Sequence, residues 1–187
     1  MMPDYRGAGG PAAAPCPVVV MGVAGCGKSS LAHALGAPLG WPVIEGDDFH
    51  PPRNKALMQA GTPLTDADRV GWLDALGAEL ARHAGGALLS CSALKRSYRE
   101  RLRAAVPHTT LRFVYLELDE ATALERVQAR AGSHFFNPGL VHSQFETLES
   151  PVGEAGVLRL DATAPLDSLC QAALQWLASA TTKGDHS

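Results

Sequence analysis

The sequence predicts an α/β fold, a parallel sheet with helices on both faces. Two observations carry this. Short apolar runs alternate with longer segments of helical period from residue 17 to residue 178, and such alternation calls for crossover connections between parallel strands. The first apolar run also leads straight into a glycine-rich turn that opens the first helix.

Pro17-Val18-Val19-Val20-Met21 reads as a buried strand, with proline acceptable at its first position. A helix follows from Lys28 to about Ala37. Pro38 stands in what would be its last turn, where a proline clashes with the preceding turn unless the helix has already ended. Pro42-Val43-Ile44-Glu45 is a short second strand. A helix over 65–84 starts at Thr65, which sits at capping-box spacing from Asp68, and Leu73, Leu76 and Leu80 fall on one face. Residues 87–91 form the third strand, and a charged helix over 93–105 has Ser92 as its expected N-cap. The fourth strand covers 111–118, with a helix over 120–130. Asn137 caps a helix over 138–148 that has Pro138 at its first position. Residues 157–160 are the fifth strand, and a helix over 166–178 closes the domain. Residues 1–15 are rich in Gly, Ala and Pro and are expected to be a disordered leader, as is a tail over 181–187; residues 16–180 form one domain.

At 187 residues, 46% apolar, the chain can bury one sizeable core. Its formal net charge of −3 offers no attraction to nucleic acid or an anionic membrane surface. No apolar run approaches the ~18–20 residues of a membrane span, and no signal-peptide pattern opens the chain. Cys16, Cys26, Cys91 and Cys170 show neither a Cys-x-x-Cys nor a zinc spacing, which reads as reduced thiols in a cytoplasmic protein.

Gly22-Val23-Ala24-Gly25-Cys26-Gly27-Lys28-Ser29 fits Gly-x-x-x-x-Gly-Lys-Ser/Thr, between an apolar strand and a helix. This is the context of a P-loop. The glycines let successive N–H groups face one phosphate, and the helix N-terminus adds partial positive charge. Lys28 can neutralise β and γ oxygens, Ser29 can offer its hydroxyl to Mg²⁺, and Ser30 completes the ATP-binding run from Gly22. Cys26 reads as a small residue that fits the loop; the alternative is sensitivity to thiol reagents.

Glu45-Gly46-Asp47-Asp48-Phe49-His50 follows the second strand, so these carboxylates are placed at the sheet's carboxyl end, facing the P-loop crevice. One could accept the proton of an attacking hydroxyl and another could hold Mg²⁺ through water. Arg53, Asn54, Lys55 and Arg69 add cations and an amide suited to an anionic, hydroxyl-rich substrate. Lys95 and Arg99 are four apart on the predicted charged helix over 93–105, as are Arg126 and Arg130 near a mobile lid over about 126–142 that contains His134.

These segments together resemble the gluconate kinase (gluconokinase) family, within the shikimate-kinase-like P-loop kinases, over roughly 18–178. The carriers are Gly46-Asp47-Asp48-Phe49-His50-Pro51 with Asn54, Met58, Gly61, Pro63-Leu64, Asp66, Asp68-Arg69 and Trp72-Leu73. To these add Cys91-Ser92-Ala93-Leu94-Lys95 with Tyr98-Arg99, His134-Phe135, and Gln144-Phe145-Glu146-Thr147-Leu148-Glu149. The resemblance implies a five-stranded parallel P-loop NTPase with a small mobile lid, commonly a homodimer, that uses ATP and Mg²⁺ to phosphorylate D-gluconate to 6-phosphogluconate. It also implies Asp47 as the base or orienting carboxylate, Ser29 with Glu45 or Asp48 near the metal, and Arg126 and Arg130 as lid cations beside the catalytic Lys28. His50, Asn54, Arg69, Lys95, Arg99 and His134 are the expected substrate side. Two departures stand out: Glu45 occupies a position where the family commonly has Asp, and Ser133 is one residue extra between Gly132 and His134.

A shikimate or nucleoside kinase is the nearest alternative. A shikimate kinase would carry Asp-x-Asp at strand two and three glycines at strand three; this chain has Glu45-Gly46-Asp47 and only Gly85-Gly86. A guanine-nucleotide switch would need Asn-Lys-x-Asp, whereas Asn54-Lys55-Ala56-Leu57 lacks the acid. A binding module without catalysis is disfavoured because lysine, hydroxyl and carboxylates are all present.

Overall fold

The computed structural model describes residues 15–130 and 137–179. The strands are β1 (Pro17–Met21), β2 (Val43–Glu45), β3 (Ala87–Ser90), β4 (Arg112–Glu117) and β5 (Val157–Asp161). They form one parallel sheet in the order β2-β3-β1-β4-β5. The helices are α1 (Lys28–Leu39), α2 (Pro52–Gln59), α3 (Asp66–Arg82), α4 (Arg96–Ala105), α5 (Glu120–Ala129), α6 (Val141–Thr147) and α7 (Leu166–Ser179). The expected leader, save Pro15, and the expected tail lie outside the described residues, as does the 131–136 part of the expected lid.

Side chains alternate across a strand, so β1 feeds two cores. Val18 and Val20 pack with Leu31 and Leu35 of α1 and with Ala173 and Leu177 of α7. Val19 and Met21 pack on the other face with Trp72, Leu76 and Leu80 of α3 and Leu102 of α4. All five residues of β1 are buried, which explains why the strand reads as a continuous apolar run rather than an alternating one.

Three local expectations need correction. The helix after β1 does not end at Ala37: it runs through Pro38 to Leu39, and Gly40 closes it in a left-handed conformation, with the Gly40 and Trp41 N–H groups bonded to Ala37 and Gly36 carbonyls. Pro38 leaves the Ala34 carbonyl without its helical donor, and the Cys170 thiol of α7 donates to that oxygen at 3.5 Å. The charged helix α4 starts at Arg96, so Ser92 is not its N-cap; Lys95 holds that position in an extended conformation, after Ala93 at φ 45°. Helix α2 was not anticipated, since its eight residues show weak patterning; Pro at its first position marks its start. The Thr65–Asp68 capping box is present at the start of α3, with both reciprocal bonds made.

Candidate active site

Three loops at the carboxyl ends of β1, β2 and β3 meet in one cavity of about 320 Å³. The first is the phosphate loop. Gly27 caps α1 at φ 97°, a left-handed conformation that favours glycine, and the space where a Cβ would sit is open. α1 carries no acid in its first turn to oppose its positive end. Ala24, Gly25, Gly27, Lys28, Ser29 and Ser30 line the cavity, while the Val23 and Cys26 side chains are core residues. Lys28 Nζ donates to the Val23 carbonyl at 3.0 Å, folded back over its own loop. Burial pushes the Cys26 thiol up, more than neighbouring Lys28 pulls it down, which keeps it protonated.

The second loop is a 3₁₀ turn over Gly46–Phe49. Gly46 lies so close to β3 that an added Cβ would stand 2.6 Å from the Ser90 carbonyl. Its own carbonyl accepts the buried Trp72 indole N–H at 2.8 Å. His50 stacks on that indole with ring centroids 4.2 Å apart. Asp47 is therefore held at the cavity between a strand end and a buried tryptophan. Asp48 is exposed, outside the cavity wall, and its backbone oxygen accepts Lys55 Nζ at 3.3 Å. Expected as a metal-side acid, it is not among the residues that line the cavity.

Glu45, partly exposed, is turned toward α1. One carboxylate oxygen accepts the Ser29 hydroxyl at 2.8 Å and the other lies 3.2 Å from His33 Nε2, one turn along α1. The Ser29 and Ser90 hydroxyls are 3.2 Å apart. The longer glutamate reaches Ser29 across the strand end, so oxygen donors of the kind a hard cation prefers are gathered at the loop. No cluster of three or more His, Cys, Asp or Glu that could hold a metal occurs among the described residues; the donor set instead fits Mg²⁺ held partly by phosphate oxygens and water.

His50 Nδ1 and Arg69 Nε are buried without a hydrogen-bond partner among the described residues, and both residues line the same cavity. Burial, assisted by the Arg69 and Lys55 charges, lowers the His50 pKa to about 4, so the ring is neutral at physiological pH. Met58, Leu64 and Leu140 form an apolar floor. Arg130, at the end of α5, lines the cavity as well.

Four other expected site residues are placed elsewhere. Asn54 is buried and donates to the Asp68 carbonyl at 2.7 Å, docking α2 on α3. Lys95 is bound at 2.8 Å to both oxygens of Asp66, which also accepts the Tyr98 hydroxyl. Arg99 is fully buried between Glu154 and the Ala93, Leu94 and Glu149 carbonyls, and holds the fold rather than a substrate. Arg126 binds the Gly25 and Ala162 carbonyls, bracing the phosphate loop against the chain after β5 rather than covering it. His134 lies outside the described residues.

Sequence reasoning assigned no role to Ser90, Ser143 and Gln144, which line the cavity, or to His33. For Gln144 the signal was available in the Gln-Phe-Glu-Thr-Leu-Glu segment; Ser90 and His33 carry none, since a strand-end serine and a helix histidine are ordinary.

An AAA domain family matches residues 18–150. The chain is 45% identical over 147 residues to the gluconokinase of Gluconobacter oxydans (strain 621H), covering 76% of this chain and 80% of the relative. It is 39% identical over 161 residues to the thermoresistant gluconokinase of Escherichia coli (strain K12), covering 84% and 90%. The crystal structure of a gluconokinase from Sinorhizobium meliloti 1021 superposes with a TM-score of 0.83 at 44% identity, covering 93% of this chain and 99% of that one.

Proposed function

Because the chain belongs to the gluconokinase family, we propose that it transfers the γ-phosphoryl group of ATP to the terminal hydroxyl of D-gluconate, giving 6-phosphogluconate. The observation that carries this reading is one cavity lined by a phosphate loop and Asp47, where His50 and Arg69 present polar atoms without a partner among the described residues.

The loop amides and Lys28 hold the triphosphate and offset its charge. Ser29 and Glu45 are the residues that would hold Mg²⁺, directly or through water; when bound, the ion supplies charge neutralisation on the phosphate oxygens. Asp47 orients the acceptor hydroxyl and takes its proton as the new phosphate bond forms. Arg69 offers a charged donor to the sugar acid, and neutral His50 can exchange a hydrogen bond with a hydroxyl. Arg130 adds positive charge near the transferring group. The apolar floor excludes water, which limits hydrolysis.

The test is ADP release with Mg-ATP and a panel of D-gluconate, other aldonates, shikimate, glycerate and nucleoside monophosphates. Turnover with gluconate well above every other member is expected. Turnover confined to another member would keep the phosphotransfer chemistry and reject the substrate; ATP binding without turnover on any member would reject both.

A further inference from the structure

A backbone donor of the phosphate loop is taken by a side chain from outside the loop. The Ala24 N–H donates to Oε1 of Gln144, on α6, at 2.7 Å and 120 positions away in sequence. A backbone N–H can only donate, so the side-chain atom that receives it must be the amide oxygen, and this fixes which end of the carboxamide is which. The other end, Nε2 with its two N–H groups, makes no hydrogen bond to any described residue, and Gln144 lines the same cavity wall as Lys28 and Ser29.

α6 is not free to drift from this position. Val141 is buried in the core shared by β1 and α1, and Phe145 and Leu148 pack against it. Gln144 is therefore a polar arm delivered from an anchored helix. Resting on the proposed phosphotransfer, we infer that Gln144 is a ligand-binding residue of the transfer step: its Oε1 sets the loop at Ala24, and its Nε2 donates to the terminal phosphoryl group of ATP. A neutral amide suits this place. It withdraws one loop amide from the phosphate and returns donors that are directed at the group being transferred.

The reading distinguishes ATP, which has that terminal group, from ADP, which lacks it. The experiment uses the full chain with Gln144→Met, which keeps length and packing but no hydrogen bonds, and Gln144→Glu, which keeps the acceptor for Ala24 and loses both donors. Binding of ADP and of a non-hydrolysable ATP analogue is measured by titration calorimetry, with kcat and KM for gluconate alongside and thermal unfolding as the folding control. Both variants should lose about tenfold in the preference for the ATP analogue over ADP, with kcat lowered at least as much. ADP affinity should stay within about threefold for the Met variant. An unchanged analogue-over-ADP preference in either folded variant would overturn the inference, as would equal weakening of both nucleotides. If the parent fails to phosphorylate gluconate, the proposed substrate falls, while the nucleotide preference still tests Gln144.

Discussion

Glu154→Ala should cost stability without touching substrate binding. The Arg99 side chain is fully buried, and Glu154, 11% exposed, is its sole carboxylate partner among the described residues, at 2.5 Å from Nη2 and 3.0 Å from Nε. The same carboxylate also accepts two bonds from Arg103 at 3.1 Å. Removing it leaves a guanidinium charge in the interior, a change that costs about 3–5 kcal/mol when nothing compensates. Arg99 would keep the Ala93, Leu94 and Glu149 carbonyls, and the vacated site borders solvent, so the lower end applies, about 3 kcal/mol. For a chain of this length that corresponds to a fall in Tm of roughly 6–12 °C. Glu154→Gln, which keeps an acceptor but no charge, should fall between parent and Ala. Burial pushes the Glu154 pKa up, but the hydrogen bonds from Arg99 and Arg103 outweigh it and the net shift is downward. The pair's contribution is thus fully present above the ordinary glutamate pKa and is lost as pH falls through the lower folded value. The Tm gap between parent and Ala should therefore narrow on acidification below about pH 4.5. Thermal unfolding across pH, with KM for gluconate at neutral pH, decides the matter. A Tm change under about 2 °C, or a large rise in KM with Tm unchanged, would refute the structural role and return Arg99 to the substrate side.

Three further substitutions probe the cavity directly. Lys28→Ala should abolish turnover in the coupled ADP-release assay while Tm stays near that of the parent, because among the described residues its Nζ bonds to the Val23 carbonyl of its own loop alone. Asp47→Asn should lower kcat by at least about a hundredfold with ATP affinity changed little; a near-normal kcat would remove Asp47 from the proton-handling role. Arg69→Met should raise KM for gluconate by about ten- to a hundredfold and leave KM for ATP unaltered, since it lines the cavity and its Nε has no hydrogen-bond partner among the described residues; an equal rise in both would place the guanidinium near the phosphates instead.

The parts of this site that were legible from sequence are those whose chemistry needs consecutive residues. The phosphate loop and the Glu45–His50 turn each combine residue type with a fixed local geometry. Both occupy the expected strand ends. What failed was inference from helical spacing. Lys95 and Arg99 are four apart, yet Lys95 lies outside α4 in an extended conformation, so the shared-face rule does not apply to the pair. Arg126 and Arg130 fail in a related way: Arg130 is the residue at which α5 ends, and the two side chains part there, one to backbone carbonyls and one to the cavity. Asn54 was readable as polar but not as buried, because α2 itself is too short to show a face.

The arrangement also separates what holds the site from what reacts in it. Trp72 reaches from α3 through the core to the Gly46 carbonyl and stacks under His50, so the acceptor side takes its position from the face of the sheet that carries α3 and α4. The phosphate loop and α6 are seated on the opposite face, with α1 and α7. The two sides of the cavity are thus held by opposite layers, joined through the strands between them and through the Met58–Leu64–Leu140 floor. In the proposed in-line transfer the distance between Asp47 and the phosphate loop matters, and β1, β2 and β3 carry the two loops, with a register that pairs Val20 with Ser90 and Glu45 with Ser90. Ser90 is the common neighbour in both pairs, and its hydroxyl meets Ser29. A bulkier residue at Ser90 would push the two halves of the site apart at their closest point, so its effect should fall on kcat before it falls on either KM.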